Sequence, residues 1–448
     1  MKLCQLTLLC FLFTTAPVWG SVKAYFNQNP RTSYVDPYRS ISRQGDNLEQ
    51  VLLSEIDKAK KTIFIAVQEL RLPLVARALI IKKSQGVDVR VVLEHDYNFT
   101  VMTQREGQAN EHEASKLTDL KALVDFNRDG KFSKEELESR DAIYMLQAWK
   151  IPVMDDTFDN SRGSGLMHHK FMIVDGKSTV VSSANFTLSC IHGDITSSTS
   201  RGNPNSMVVI QSTSVAAVFH QEFLQLWGNG KRGNFGHNKT YRGPQVVSVA
   251  GTKITIQFSP TSQRYNWEES VNGLIASHLM KATKTIKAGL FVYSDQKLSN
   301  ILERTHNAGV SLGFLVEQKF AFREYSELLD MAGTEMLSQK CTFEADNHPW
   351  KNPASEFGIP TLEKGDVLHH KFGVIDNRTV IVGSQNWSEA ANYVNDETLL
   401  VIEAPAISDQ YTQEYERLKR KSRLGVPAQL KKEIIRLETD CAGSGVYF

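Results

Sequence analysis

His168, Lys170 and Asp175 in the run MHHKFMIVDGK (167–177) return as His369, Lys371 and Asp376 in LHHKFGVIDNR (368–378). Behind each run lies a second echo. Ser183 and Asn185 follow His168 at the same spacing at which Ser384 and Asn386 follow His369. The segments KFMIV and KFGVI read as short buried strands because they are rich in β-branched and aromatic residues. Strand side chains alternate faces, so a His and a Lys two apart point the same way. Each run therefore offers one imidazole and one ammonium on one face. Two ammoniums and two Asn amides suit a phosphate oxyanion. Two imidazoles can divide a displacement, one attacking phosphorus and the other protonating the departing oxygen.

The doubled His-x-Lys-x4-Asp pattern resembles that of the phospholipase D superfamily, and the resemblance covers nearly the whole chain after its first twenty residues. It implies a covalent phosphohistidine formed on one motif His, with the partner His as general acid. By analogy with two-motif members, His168 is the expected nucleophile and His369 the expected acid. The resemblance places Lys170, Lys371, Asn185 and Asn386 on the phosphate, with Ser183 and Ser384 beside them. It gives Asp175 and Asp376 a mostly structural part at the strand-to-turn junctions.

One departure from symmetry carries information. The family often orients a motif His with a carboxylate at a set interval further along the chain, and Glu397 stands at that interval after His369. Aligning VVI (208–210) with LVI (400–402) sets Asn205 opposite Glu397. A carboxylate on one ring nitrogen raises an imidazole's basicity and fixes its tautomer, whereas an amide does not add charge. The two histidines should titrate apart, as a nucleophile and an acid must.

The halves repeat beyond the motifs. AKKTIFIAVQEL (59–70) matches ATKTIKAGLFVY (282–293), and GVDVRVVLE (86–94) matches GVSLGFLVE (309–317), both at an offset of 223. Strands alternating with helices predict an α/β fold. The expectation is tandem phospholipase D-type domains, each a mostly parallel sheet with helices on both faces, packed as a pseudo-dimer in a monomer. The expected boundaries are 21–230 for the first domain, 231–247 for a Gly-rich basic linker, 248–425 for the second domain and 426–448 for a C-terminal tail.

The first half is the longer between its third strand and its motif, and the insert there has its own pattern. DFNRDGKFSKEE (125–136) sets Asp125, Asn127, Asp129, Lys131, Ser133 and Glu136 at positions 1, 3, 5, 7, 9 and 12 of a loop, with Gly130 at 6. This is the arrangement of an EF-hand calcium loop, and the insert about 115–148 supplies two flanking helices. The expected cofactor is a structural Ca2+, with no catalytic cofactor.

The 448 residues suffice for two full cores, and 51 Lys and Arg against 50 Asp and Glu give no basic surplus that would mark a nucleic-acid binder. Residues 1–20 read as a secretory signal: Lys2, an apolar run from Leu6 to Phe13, and a cut before Ser21. No later stretch approaches the roughly 20 apolar residues of a membrane span. Asn185 and Asn386 both stand in Asn-x-Ser/Thr sequons, where glycosylation would block the site, so a bacterial periplasm or exterior is the expected address. After the signal come Cys190, Cys341 and Cys441. A Cys190–Cys341 bond and three reduced thiols both fit that count. The expected function is a phosphodiesterase of phospholipase D type acting on phospholipid headgroups. The alternatives are an exported nuclease acting on DNA or RNA and, further off, a non-enzymatic calcium-binding surface protein. Residues 95–124 and 338–366 are expected to line the substrate groove.

Overall fold

The computed structural model describes residues 20–103, 111–161 and 165–443; the expected signal segment, apart from Gly20, lies outside these. Two sheets carry the molecule, of seven and nine strands. In the first, the order is Ser21–Phe26, Ser206–Gln211, Ser178–Ser182, Lys170–Val174, Thr62–Val67, Asp88–Leu93 and Val153–Asp155. The second repeats this order around Lys371–Ile375 and adds a strand at each edge, Gln245–Val249 and Ser422–Leu424.

The α/β class and the duplication stand, but the strand directions need correcting. Four of six pairings in the first sheet and six of eight in the second are antiparallel. Parallel pairing is confined to the units where a helix crosses between strands, such as Thr62–Val67 with Asp88–Leu93. The cause is local. Each motif strand runs into a tight turn, Asp175–Gly176 or Asp376–Asn377, whose residues all have φ between 51° and 60°. Such a turn folds the chain straight back into a hairpin.

Alternation along the motif strands divides the core. Phe171, Ile173, Phe372 and Val374 face a single apolar cluster shared by both halves. Met172 and Val174 face a second cluster under the helices Leu48–Lys58 and Pro73–Ser84. The helices Thr213–Trp227 and Pro405–Lys419 fill the shared cluster with Phe219, Phe223, Tyr411 and Tyr415. Ring pairs cross the boundary: Phe219 lies 5.2 Å from Phe258, and Phe26 lies 4.8 Å from Tyr411. Burying that much aromatic surface holds the halves as one body.

The segment between the halves is not a loose linker. The Lys239 side chain, only 6% exposed, lies between Glu222 of the first half (2.5 Å) and Asp396 of the second (2.6 Å), and the Gly236 N–H donates to Asp396 at 3.1 Å. The second sheet begins at Gln245, inside the stretch expected to be linker. The expected tail folds as a helix, Ala428–Gly443, that lays Ile434 on Leu329 and Met336. Its Cys441 forms the disulfide with Cys341, and Cys190 is a buried free thiol. This pairing replaces both the Cys190–Cys341 bond and the three reduced thiols that the count allowed. No helix among the described residues is long and apolar enough to cross a membrane.

Candidate active site

Each motif Asp fixes the start of a neighbouring strand. Asp175 accepts backbone N–H groups from Lys60, Lys61 and Thr62 at 2.7–2.9 Å. Asp376 accepts those of Thr283, Lys284 and Thr285 at 2.8 Å. Burial acts to raise both carboxyls, but these donors bring them below the usual carboxylate range. At the opposite end of each strand a Glu does the matching work. Glu94 accepts the N–H of Met167 at 2.6 Å, and Glu317 that of Leu368 at 2.7 Å, in each case the residue before a motif His. Sequence reasoning missed these two positions, although both repeats quoted above end on them.

The two HHK runs place two kinds of His. His169 and His370 point into the shared core, bonded to Glu222 at 3.1 Å and Glu414 at 2.9 Å. His168 and His369 turn to the other face with Lys170 and Lys371. Each ammonium donates to the carbonyl of its own motif His at 2.8 Å. All four side chains are buried, and each motif's lysine depresses the other motif's imidazole, so the motifs share one site. Burial first, and then the two ammoniums, push both histidines well below their usual value. Burial also pulls Lys170 down to about 7, with Glu397 opposing. These shifts share one origin, a dry site crowded with positive charge, and an arriving phosphate anion would relieve them.

The supports of the two imidazoles are exchanged between the halves. His168 Nδ1 lies 2.7 Å from Glu397 of the second half, and His369 Nδ1 lies 3.1 Å from Asn205 of the first. The carboxylate singled out by its interval from His369 thus serves the other histidine. A parallel bridge makes the exchange rigid: the His168 N–H donates to the Asp396 carbonyl at 2.9 Å, and the Asp396 N–H to Leu166 at 2.8 Å. Burial raises Glu397 to about 7 against the pull of Lys170.

Ser183 and Ser384, expected beside the phosphate, hold these crossing partners instead. The Ser183 hydroxyl donates to Asn205 Oδ1 at 2.8 Å, and Ser384 hydrogen-bonds Glu397. Asn185 donates to Gln68 at 3.1 Å, and Gln68 also lies 3.4 Å from the Lys170 ammonium. The Oδ1 atoms of Asn185 and Asn386 are buried without a hydrogen-bond partner. Gln68 has Phe291 as its counterpart at the 223 offset. Phe291 lies 5.0 Å from the His369 ring, and the Lys371 ammonium sits 4.8 Å from its centroid. A cavity of about 580 Å³ opens against Phe291, walled by Lys319, Phe320, Arg323, Glu324, Tyr325 and Val367. Most of that wall comes from the segment after Glu317.

The insert forms a helix Glu111–Val124, a loop and a helix Lys134–Arg140. Asp125 accepts the N–H groups of Asp129 (3.1 Å) and Gly130 (3.0 Å), and Asp129 accepts that of Lys131 at 2.8 Å. Glu136 Oε2 accepts from Ser133 N–H and hydroxyl, while its Oε1 is buried with no partner. An oxygen-only donor set around one orphaned carboxylate oxygen fits a hard cation. Groups of three acidic or imidazole ligand atoms within 4.8 Å of one another occur elsewhere among the described residues, at Glu94–His95–Asp96 and His169–Glu222–Asp396; the loop's three carboxylates stand wider apart. Lys239 occupies the second of these groups as its counter-charge.

Two His-x-Lys strands closed onto one buried site by a duplicated α/β frame bring two imidazoles and two lysines together from the two halves. The chain belongs to the phospholipase D-like family described as "Cardiolipin synthase, PLD-like domain", which it matches over residues 52–227 and 275–419. It is 24% identical over 142 residues to a mitochondrial cardiolipin hydrolase of Xenopus tropicalis, a match covering 31% of this chain and 57% of that protein. It is 24% identical over 180 residues to a phospholipase D of Rickettsia bellii, covering 40% of this chain and 75% of that one. The chain thus spans little more than half the length of the cardiolipin hydrolases it matches. In fold it is similar to a phosphatidylserine synthase of Haemophilus influenzae, with a TM-score of 0.57 over 94% of this chain and 93% of that one at 11% identity.

Proposed function

We propose that this protein hydrolyses phosphodiesters in the manner of a phospholipase D, releasing phospholipid headgroups through a phosphohistidine. The crossed pair His168–Glu397 at 2.7 Å carries the reading. A carboxylate that accepts the Nδ1–H leaves the Nε2 lone pair facing phosphorus and steadies the charge of the phosphorylated ring. His369 rests on a neutral amide, so as an imidazolium it gives up its proton more readily. His168 Nε2 forms the P–N bond as the P–O bond breaks, and the alcohol leaves with the proton from His369. Water then attacks phosphorus, returns a proton to His369 and frees His168 with a phosphomonoester as product. Lys170, Lys371, Asn185 and Asn386 hold the nonbridging oxygens. A Ca2+ ion would be held by side-chain oxygens of Asp125, Asn127, Asp129, Ser133 and Glu136 and by the Lys131 backbone carbonyl, and would supply cohesion to the insert outside the displacement.

Export to a bacterial periplasm or exterior belongs to the same reading, and the Cys341–Cys441 disulfide suits an oxidising compartment. The test is turnover of bis(p-nitrophenyl) phosphate, mixed phospholipid vesicles, plasmid, single-stranded DNA and RNA side by side, with and without chelator. Vesicle lysis products at rates well above those on nucleic acid support the reading. Cleavage of nucleic acid alone replaces it with the nuclease, and inertness toward every substrate leaves a calcium-binding surface protein.

A further inference from the structure

The loops after Glu94 and Glu317 are equivalent by the 223 offset, yet they differ in charge. HDYNFT (95–100) stands opposite QKFAFR (318–323), so Asp96, Tyr97 and Thr100 correspond to Lys319, Phe320 and Arg323. On the first-half side His95 is ringed by Glu94 (2.9 Å), Asp96 (3.2 Å) and Asp156 (3.0 Å). On the second-half side the same stretch walls the cavity beside His369 with two cations and one carboxylate, Glu324. Aromatic faces connect the acid to that cavity, since Phe291 lies 5.0 Å from His369 and 4.9 Å from Phe320. Arg323 donates through Nε to the Lys319 carbonyl at 2.9 Å, which aligns its guanidinium along the cavity wall.

We propose that this cavity receives the alcohol side of the phosphodiester and selects an alcohol that carries a second phosphate. The inference rests on the reading of His369 as the acid, because an in-line displacement sets the departing oxygen against the group that protonates it. The glycerol or sugar between the phosphates lies along Phe291 and Phe320, and the second phosphate meets Arg323 and Lys319. A planar guanidinium beside an ammonium suits a phosphate dianion. A quaternary ammonium headgroup would meet the same two cations and be turned away.

Binding separates this from the catalytic reading. Calorimetry with propane-1,3-diyl bisphosphate and with propyl phosphate gives an affinity ratio for the wild-type protein and for Lys319→Ala combined with Arg323→Ala. Both residues are exposed, so the variant keeps the fold, which its melting temperature verifies. The wild type should favour the bisphosphate by about tenfold or more, and the variant should lose most of that ratio. A ratio near one in the wild type, or one unchanged by the substitutions, overturns the proposal. Arg323→Glu should shift turnover from cardiolipin vesicles toward phosphatidylcholine vesicles, and an unshifted preference counts against it equally. If the wild type fails on bis(p-nitrophenyl) phosphate, the catalytic reading falls while the ratio still decides the cavity. If the ratio holds and an oligodeoxynucleotide alone is cleaved, the second phosphate is that of a nucleic acid and only the lipid reading is lost.

Discussion

The two halves are copies in frame and opposites in detail. Both set a His and a Lys on a strand ended by an Asp staple, and both fix the residue before the His with a Glu from the preceding strand. Around that shared frame the partners diverge. Glu397 faces His168 where Asn205 faces His369, and Gln68 touches Lys170 where Phe291 touches Lys371. On the proposed reading the shared frame positions four side chains against one phosphorus. On that reading displacement needs two unlike imidazoles, and the unlike partners supply the difference that a symmetric site would lack. Exchanging supports across the boundary also makes each half incomplete alone.

The largest effect should come from the histidines themselves. His168→Ala and His369→Ala should each lower kcat by about 10⁴-fold or more, and the double variant should cost little beyond that, since the pair acts as a unit. Substantial turnover by either single variant would sink the assignment. Next comes the seam. Lys239→Met leaves Asp396 buried without its cation and Glu222 with Arg242 alone, and Asp396 directly precedes Glu397. Removing one member of such a buried group costs about 3–5 kcal/mol, readable as a lower urea midpoint at unchanged slope. In the second half His370 and Glu414 rely on Arg417 of their own helix, so the seam residue should outrank Arg417→Met.

Glu397→Gln tests the carboxylate on His168. The expected loss in kcat/KM is about 10²-fold, smaller than for the histidine. With the carboxyl raised to about 7, activity should fall as pH drops through about 7, because the protonated acid no longer steadies the imidazolium. Above about 7 the free enzyme loses the Lys170 charge, so kcat/KM should fall again on the alkaline side. The variant should lose the acid limb and keep the alkaline one. Stability responds to the same two groups. A carboxyl raised from 4.5 to about 7 binds its proton more tightly when folded, so its contribution declines as pH rises from about 4.5 to 7. Lys170, lowered from 10.5 to about 7, works the other way. The unfolded chain holds more protons between about 7 and 10.5, and stability rises with pH across that window. An activity profile in Glu397→Gln identical in shape to the wild type would mean that His168 titrates without help from its neighbour.

Much of this was legible beforehand because repetition marks what geometry requires. The two His-x-Lys runs and the duplication follow from spacing, since a strand's alternation converts sequence distance into facing, while the structural part of each Asp followed from the family resemblance. What stayed hidden depends on which chain segments meet. The interval after His369 singled out Glu397, and aligning VVI with LVI set Asn205 opposite it, but neither says that each serves the other half. The two serines looked like phosphate contacts because they neighbour the Asn residues; in the structure the strand turns their hydroxyls toward the crossing partners. Strand direction was misjudged for a readable reason: Asp-Gly and Asp-Asn after each motif strand are hairpin turns, and they outweigh the helix–strand alternation that suggests parallel pairing. The Cys341–Cys441 bond could not be read because the C-terminal helix returns to the 322–336 region through tertiary packing of Leu430, Ile434 and Leu437.

The smallest expected effect concerns the feature that only one half possesses. The insert's helices close a small core of Val101, Leu120, Val124 and Leu137, and the loop joins them at Asp125 and Glu136. Without a cation, Asp125 and Asp129 hold their shape through backbone N–H groups, so the insert stays folded but carries uncompensated negative charge. Binding to the folded state alone stabilises by about 2.7 kcal/mol at a hundredfold excess over Kd. With extracellular-type affinities of roughly 0.1–1 mM, a few millimolar Ca2+ gives about 1–2 kcal/mol and raises Tm by a few degrees. Glu136→Gln should erase that rise while keeping the helix cap, because a glutamine oxygen can still accept from Ser133. Turnover of bis(p-nitrophenyl) phosphate at low temperature should survive both the substitution and a chelator, since the two ammoniums, not the ion, face the phosphate. A melting curve indifferent to Ca2+ would reduce the loop to a solvated turn, and the asymmetry between the halves would then lie wholly in the site.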